Sequence, residues 1–282
     1  MNIHFTGHRY VSLSEPKGKL MLFPIEIDLD ASAEFYRLLW QELPVVNPQG
    51  KSFCRIGRDH DGGYLMLDDF RGKVAYSFGI NTDVSWDEDI ANRGYDVYMY
   101  DHTIDALPYE RKEFHWFKKG LADKAEDEPP LHFLDWFLWK NQHMQEEHML
   151  LKMDVEGAEW GGLEQVNPLL LTQFDQIVLE LHDLAKAHTD QERAQILSVL
   201  HKLNQTHYLV HMHGNNCDFA ITVAGQVIPD ALELTLVNKQ LVSVDTESPV
   251  VLPHELDQPN DPVRPDYILG EPRRSGLIND RI

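Results

Sequence analysis

Three carboxylates stand close together in the middle of the chain, at Asp154, Glu156 and Glu159. They follow residues 148–153, which have the apolar pattern of a buried strand. Carboxylates at such a place need a cation, a polar ligand or a hydrogen-bond network to offset the loss of water. Capping of the next helix is the structural alternative, but it accounts for one carboxylate better than for three. The motif therefore predicts a polar site at the end of this strand.

Two further positions follow predicted strands and could hold a nucleoside. Gly79 ends the first strand, where the absence of a side chain lets a ligand approach the backbone. Asn81 stands where a dinucleotide fingerprint would have its second glycine, so that fingerprint is absent. Asp101 directly follows the second strand, where a carboxylate can accept hydrogen bonds from ribose hydroxyls. Gly79 and Asp101 together favour ribose binding over a plain strand-to-helix turn.

Candidate catalytic side chains follow the fourth and fifth predicted strands, at Asp154, Glu180 and His182. Each could take a proton from a reacting hydroxyl group. The imidazole of His182 has an ordinary pKa close to neutral pH, which suits proton transfer. A packing role at the end of the strand is an equally good interpretation of this histidine. The sequence leaves the choice of base open among the three.

Polar side chains near residues 211–216 could face a substrate or a cation. Asparagine in a loop is usually turn chemistry, but Asn215 and Asn216 could also bind substrate hydroxyls. Asp154, Glu180 and Asn216 would together offer the oxygen ligands that Mg²⁺ or another divalent cation prefers, with His182 beside them. Such an ion would lower the pKa of a bound hydroxyl group. The candidate substrate-binding residues are Glu156, His213, Asn215 and Asn216.

A dense group of special residues lies upstream, from Arg55 to Tyr64. Its Asp-Gly-Gly segment, residues 61–63, is a tight-turn signal. A turn of this kind beside Arg55 could also cover the carboxylate of a cofactor. We therefore include Arg55 among the candidate cofactor-binding residues.

The elements that must position these residues alternate between short apolar runs and helical stretches. The predicted strands are Val74–Phe78, 97–100, 113–117, 148–153, 176–181, 208–211 and 231–237, and the predicted helices are 31–43, 87–93, 133–140 and 190–204. This alternation predicts an α/β fold with a mostly parallel sheet and helices on both faces. Ligands of such sheets bind beyond the carboxyl ends of the strands. We expect a lead-in segment over residues 1–50, a catalytic domain over 51–248 and an extended tail, frayed at its end, over 249–282.

Composition narrows the class of protein. The formal net charge is −21, with 46 acidic and 25 basic residues, which disfavours binding to nucleic acid. No apolar run approaches the roughly 20 residues that span a bilayer, and the N-terminus lacks the pattern of a signal peptide. Two cysteines do not make a disulfide framework. We therefore expect a soluble cytoplasmic protein without a membrane span.

The three-carboxylate motif also carries a family resemblance. Residues 151–159, Leu-Lys-Met-Asp-Val-Glu-Gly-Ala-Glu, resemble the motif of the FkbM-type methyltransferases, which usually has isoleucine in place of Met153. Residues 55–64, 76–85, 178–182, 213–216 and 232–235 resemble segments of one branch of that family. The resemblance covers about residues 50 to 240.

This resemblance implies a Rossmann-like methyltransferase fold with a seven-stranded sheet and S-adenosylmethionine as methyl donor. The acceptor would be a hydroxyl oxygen of a small molecule or carbohydrate, such as a sugar of a surface polysaccharide. By position, Gly79 and Asn81 would flank the methionine part, Asp101 would hold the ribose, and Asp154 would face the transferred methyl group. The expected cofactor-binding residues are Arg55, Gly79, Asn81, Asp83, Asp101, His102, Leu121, Ala122 and Asp154.

Two other functions remain open from the sequence. An NAD-dependent oxidoreductase would also use a carboxylate such as Asp101, but the missing glycine fingerprint and the three-carboxylate motif disfavour it. A non-catalytic nucleotide-binding module of the same fold is the second alternative. The retained acidic positions argue against that module.

Overall fold

The computed structural model describes residues 10–12, 19–22, 25–124, 130–223 and 226–269. Within these residues, seven strands form the central sheet: β1 (Val74–Phe78), β2 (Asp96–Tyr100), β3 (Phe114–Phe117), β4 (Met149–Met153), β5 (Phe174–Leu181), β6 (His207–Gly214) and β7 (Leu232–Asn238). Their order across the sheet is β3-β2-β1-β4-β5-β7-β6. The strands from β3 to β5 run parallel, whereas β7 runs antiparallel to β5 and β6. The predicted mostly parallel seven-stranded sheet is confirmed, and it is compatible with a Rossmann-like fold.

Helices connect most of these strands. They are α1 (Leu29–Gln41), α2 (Ser85–Asn92), α3 (Leu134–Lys140), α4 (Glu159–Gln165), α5 (Pro168–Leu171) and α6 (Asp190–Thr206), with a 3₁₀ turn at Leu184–Lys186. Helix α6 begins with a capping box in which the Thr189 hydroxyl accepts from the Glu192 N–H while the Glu192 carboxylate accepts from the Thr189 N–H. None of the helices in the described part of the chain combines the length and apolarity needed to cross a bilayer.

The remaining strands are short and lie outside the central sheet. They are Tyr10–Ser12, Lys19–Leu22, Ile25–Asp28, Asn47–Pro48, Phe53–Ile56, Tyr64–Leu67, Gly120–Leu121, Leu131–His132, Ala220–Val223, Gln226–Pro229 and Val244–Asp245. Phe53–Ile56 and Tyr64–Leu67 pair as an antiparallel hairpin, called the Tyr64 hairpin below.

Successive side chains of the buried strands enter two separate cores. On β1, Ala75 belongs to one core and Tyr76 to the other, and Leu150 and Leu151 divide in the same way on β4. Helices α1, α3, α4 and α6 pack on the Tyr76 side, and α2 with the Tyr64 hairpin on the Ala75 side. Every residue of β4 and β5 is buried, because layers of the structure cover both faces of these central strands, and most of their residues are apolar. Helix α1, in the predicted lead-in segment, packs into the same core as β4.

The tail crosses the end of the sheet as irregular chain from residue 249 to 269. Asp257 accepts a hydrogen bond from His211 at 3.1 Å, and Asp266 one from His213 at 3.0 Å. The side-chain amide of Asn216 donates to the carbonyl of Asp261 at 3.0 Å. The expected extended tail therefore lies on β6 and the residues after it. Its predicted frayed end, residues 270–282, lies outside the described residues.

Candidate functional site

A cleft of about 780 Å³ opens at the carboxyl ends of β1, β2, β4 and β5. Open α/β sheets bind their ligands at this edge. The residues that line it are Arg58, Asp61, Gly62, Gly79, Ile80, Asn81, Thr82, Asp83, Trp86, Tyr100, Asp101, His102, Thr103, Gly120, Leu121, Lys152, Asp154, Val155, Glu156, Ala158, Glu180, His182, Asn215, Cys217, Asp218 and Ala231. Most of the predicted site residues are therefore brought together in one cavity.

Gly79 brings the ends of β1 and β4 into direct contact. Its φ is +79°, and a Cβ added there would lie 1.6 Å from the carbonyl oxygen of Asp154. Its N–H donates to the Tyr100 carbonyl at 3.0 Å, and its carbonyl accepts from the Lys152 ammonium at 2.9 Å. Only glycine fits this backbone, so the first cofactor candidate and the three-carboxylate motif form one unit.

Asp101 organises the turn that follows Gly79. One carboxylate oxygen accepts from the N–H groups of Ile80, at 3.0 Å, and Asn81, at 2.8 Å. The other accepts from the N–H of Thr103 at 2.8 Å and from its hydroxyl at 2.6 Å. Burial raises the pKa of Asp101, but these hydrogen bonds outweigh burial and hold that pKa below its usual value. Four donors fill the four acceptor positions of a carboxylate, so the ribose contact stays a prediction that requires one of them to be exchanged or shared.

The three carboxylates of the motif have three different environments. Glu159 is fully buried and accepts hydrogen bonds from the N–H of Val155 at 2.7 Å and of Gly157 at 2.9 Å. Its side chain thus closes the turn in which Glu156 and Gly157 have positive φ. The carboxylate of Glu156 is exposed, and that of Asp154 faces the cleft. One of the three is structural, and two remain for a ligand.

Tyr64 joins the carboxylates at the ends of β4 and β5. Its hydroxyl lies 3.1 Å from Asp154 Oδ2 and 3.2 Å from Glu180 Oε2. The side-chain amide of Asn215 donates to the other oxygen of Glu180. Burial, followed by the charges of Asp154 and Glu233, raises the pKa of Glu180 well above its ordinary value. These contacts gather a polar row on one face of the sheet.

His182 lies among carboxylates at the end of β5. Its Nδ1 is 3.1 Å from Glu159 Oε1, and its Nε2 is 3.5 Å from Glu156 Oε2 and 3.7 Å from Glu180 Oε1. Burial alone would lower the pKa of His182, but the hydrogen bond with Glu159 and the nearby carboxylates raise it to about 10. An imidazole that holds its proton at neutral pH is a poor general base. The raised pKa of His182 leaves Asp154 and Glu180 as the candidates for that role.

Four predicted site residues lie outside the cleft. Arg55 bends back into its own turn, where it donates to the carbonyls of Arg58 at 3.1 Å and His60 at 2.5 Å. Ala122 is buried beside the cleft wall. His213 lies between Glu233 and Asp266, and the Asn216 amide donates to carbonyls of the tail. The Asn216 side-chain oxygen, the atom that would bind a cation, accepts from the Asp261 N–H at 2.6 Å, so Asn216 is not placed to complete the expected cation site with Asp154 and Glu180.

Among the residues not predicted for the site, Arg58 and Lys152 line the cleft, and the Tyr64 hydroxyl contacts its carboxylates Asp154 and Glu180. Lys152 interrupts the apolar residues of β4, and a lysine inside a buried strand is itself a signal of a polar site. Its ammonium lies 3.6 Å from Asp154 Oδ2. Tyr64 directly follows the Asp-Gly-Gly turn at residues 61–63, but its partners can be identified only when the hairpin packs on the sheet.

Comparison of the sequence with protein-family models and with curated proteins finds no match.

Proposed function

We propose that this chain is an S-adenosylmethionine-dependent O-methyltransferase of the FkbM type, acting on a hydroxyl of a small molecule or carbohydrate. The observation that carries the proposal is the contact between the Gly79 turn and Asp154 within one cleft. The family resemblance predicts this proximity, because it assigns Gly79 to the cofactor and Asp154 to the transferred methyl group. A net charge of −21 disfavours nucleic acid as the acceptor.

The sheet supports the methyltransferase variant of the Rossmann-like fold. The doubly wound dinucleotide-binding order is 3-2-1-4-5-6. Here the antiparallel strand β7 is inserted between β5 and β6, and this insertion distinguishes the two variants. The inserted strand places Glu233 between Glu180 of β5 and His213 of β6, on the side of the cleft where the acceptor would bind. NAD binding is disfavoured by this topology as well as by Asn81 in place of a glycine.

The residues around Gly79 fit a nucleoside cofactor. A side chain at Gly79 would fill the space next to Asp154, so the turn leaves bare backbone at the cleft. The loop after β2 contributes Asp101 and His102, and the loop after β3 contributes Gly120 and Leu121. S-adenosylmethionine, when bound, supplies a methyl group on a positively charged sulfur. Asp154 and Glu180 would then face the acceptor side of that group.

The acceptor must be aligned with the methyl group and must lose a proton. Alignment supplies a large share of the rate gain when two reactants are held in one geometry. Asp154 and Glu180 are the carboxylates that can take the proton, and Tyr64 fixes their mutual position. A positioned base adds about 10²–10⁴-fold to the rate.

Charge in the cleft indicates the class of acceptor. Its acidic residues are Asp61, Asp83, Asp101, Asp154, Glu156, Glu180 and Asp218. The nearby cations are already paired: Arg58 lies 3.2 Å from Asp83, and Lys152 lies 3.6 Å from Asp154. A phosphate or carboxylate on the acceptor would be repelled, whereas sugar hydroxyls can donate to these oxygens. We therefore propose a neutral polyol or glycan, modified in the cytoplasm, where the free Cys54 and Cys217 stay reduced.

A labelled-methyl transfer assay tests the proposal. Full-length protein is incubated with methyl-labelled S-adenosylmethionine and a panel of neutral glycans, nucleotide sugars and polyketides. We expect label on a hydroxyl oxygen of a neutral glycan and a 10²–10⁴-fold loss of transfer in Asp154→Asn. Asp135→Asn, an exposed carboxylate of α3, serves as the matched control and should keep full activity.

The alternatives give different results. A protein that binds the cofactor but transfers label to no acceptor class would favour the non-catalytic module. Transfer that survives undiminished in Asp154→Asn would contradict the assigned role of the carboxylate. Oxidation of an alcohol with NAD⁺ would replace the proposal by the oxidoreductase.

A further inference from the structure

Three side chains around the end of β4 converge on one point. Asp154, Glu156 and His182 each offer one ligand atom, and these atoms all lie within 4.8 Å of one another. They come from the end of β4, the turn after it and the end of β5. A fourth oxygen, Glu180 Oε1, lies 3.7 Å from His182 Nε2. Both carboxylates and imidazole are common ligands of divalent metals.

The orientation of His182 is set by groups outside this triad. Its Nδ1 lies 3.1 Å from an oxygen of the fully buried Glu159, and its backbone carbonyl accepts from the Trp160 indole N–H at 2.8 Å. Within the described residues, Nε2 has carboxylates at 3.5 and 3.7 Å but no hydrogen bond. A histidine that binds a metal almost always gives its other ring N–H to a carboxylate or carbonyl in this way. Glu159 therefore orients Nε2 as a ligand atom, and a bound ion would take the place of the Nε2 proton.

We propose that Asp154, Glu156 and His182 bind one divalent transition-metal ion, of which Mn²⁺ is the representative probe. An imidazole among the ligands favours Mn²⁺, Fe²⁺ or Zn²⁺ over Ca²⁺, which prefers oxygen ligands alone. This set replaces the expected Mg²⁺ ligands Asp154, Glu180 and Asn216, because the side-chain oxygen of Asn216 already accepts a hydrogen bond from the Asp261 N–H of the tail at 2.6 Å.

Three protein ligands leave positions on the ion open toward the cleft. Its role in catalysis rests on the proposed methyl transfer: an acceptor hydroxyl bound there loses its proton more easily. With Asp154 bound to the ion, Glu180 is the neighbouring carboxylate that takes this proton. Binding of the ion itself does not depend on methyl transfer.

Metal binding is tested on full-length protein stripped with EDTA and titrated with Mn²⁺, followed by electron paramagnetic resonance and calorimetry. We expect one Mn²⁺ per chain. Glu156→Gln and His182→Gln should each weaken binding at least tenfold, the scale at which even outer partners of a metal site act. Asp135→Asn changes an exposed carboxylate of α3 outside the cleft, and it should keep the wild-type affinity.

The exposed side chain of Glu156 makes the test independent of folding. Its carboxylate is 86% exposed, so Glu156→Gln should melt at the wild-type temperature. Lack of stoichiometric Mn²⁺ binding, or equal affinity in Glu156→Gln and wild type, would overturn the metal site. Undiminished methyl transfer in EDTA would overturn its catalytic role while leaving the methyltransferase proposal intact. Stoichiometric Mn²⁺ without methyl transfer would support the site and reject the proposed function instead.

Discussion

Replacement of Glu159 tests whether the buried carboxylate of the motif holds the site together. Glu159 accepts hydrogen bonds from Val155 N–H, Gly157 N–H and His182 Nδ1, at 2.7, 2.9 and 3.1 Å. Glutamine keeps the shape but has a single acceptor oxygen and turns an NH₂ group toward at least one of these donors. Glu159→Gln therefore removes the charge and leaves a buried donor without a partner.

The magnitude follows from the number of hydrogen bonds. Each bond to a charged group contributes about 1.5–3 kcal/mol, and an unsatisfied buried donor costs a similar amount. We expect Glu159→Gln to lower the free energy of unfolding by about 2–4 kcal/mol. For a chain of this size, that corresponds to a fall in Tm of roughly 3–7 °C.

Thermal and urea denaturation check this value against Glu164→Gln. Glu164 is an exposed residue of the same helix, bound at 2.9 Å by the side chain of Gln195. That control should stay within about 0.5 kcal/mol of the wild type. A Glu159→Gln variant as stable as Glu164→Gln would refute the structural role of Glu159.

Three further changes test the turn at β1 and two of the histidines of β6. Gly79→Ala should abolish cofactor binding and lower Tm, since a Cβ there would lie 1.6 Å from the Asp154 carbonyl; calorimetry and a melting curve measure both. Burial of His207 lowers its pKa to about 4. The free energy of unfolding should therefore fall by about 3 kcal/mol as the pH drops from 6.5 toward 4. Urea titrations of His207→Gln should not show this loss. Burial lowers the pKa of His213, but hydrogen bonds with Asp266 and Glu233 raise it to about 10. Its stabilisation should therefore be complete below pH 6.5 and lost as pH rises through 10, and unfolding of His213→Gln should lack this dependence.

The sheet could be predicted because most of its strands have a recognisable apolar pattern in the local sequence. Val74–Phe78 is found as predicted, since a strand buried on both faces is a mostly apolar run, here with Ser77 as its one polar residue. Strand β6 was predicted to end at His211 but continues to Gly214, because His213 and Gly214 pair with Glu233 and Leu232 of β7. The end of β6 is set by pairing with residues about 20 positions later, so the sequence around His213 does not indicate where the strand ends.

The candidate site was predictable where it follows strand ends. Gly79 and Asp154 stand directly after their strands, so their shared cleft follows from parallel topology alone. Tyr64 could not be assigned in this way, since its partner Glu180 is separated from it by 116 positions. His213 could not be assigned from the sequence either, because its hydrogen-bond partner Asp266 lies in the tail. Only the packed tail shows that this histidine already has a partner.

Binding of S-adenosylhomocysteine, the methyl-transfer product, tests the central claim most directly. Calorimetric titration of wild-type protein, beside an identical titration with NAD⁺, compares the two ligands under the same conditions. We predict one molecule of S-adenosylhomocysteine bound per chain, no heat with NAD⁺, and loss of binding in Gly79→Ala. Binding of NAD⁺ without binding of S-adenosylhomocysteine would contradict the account.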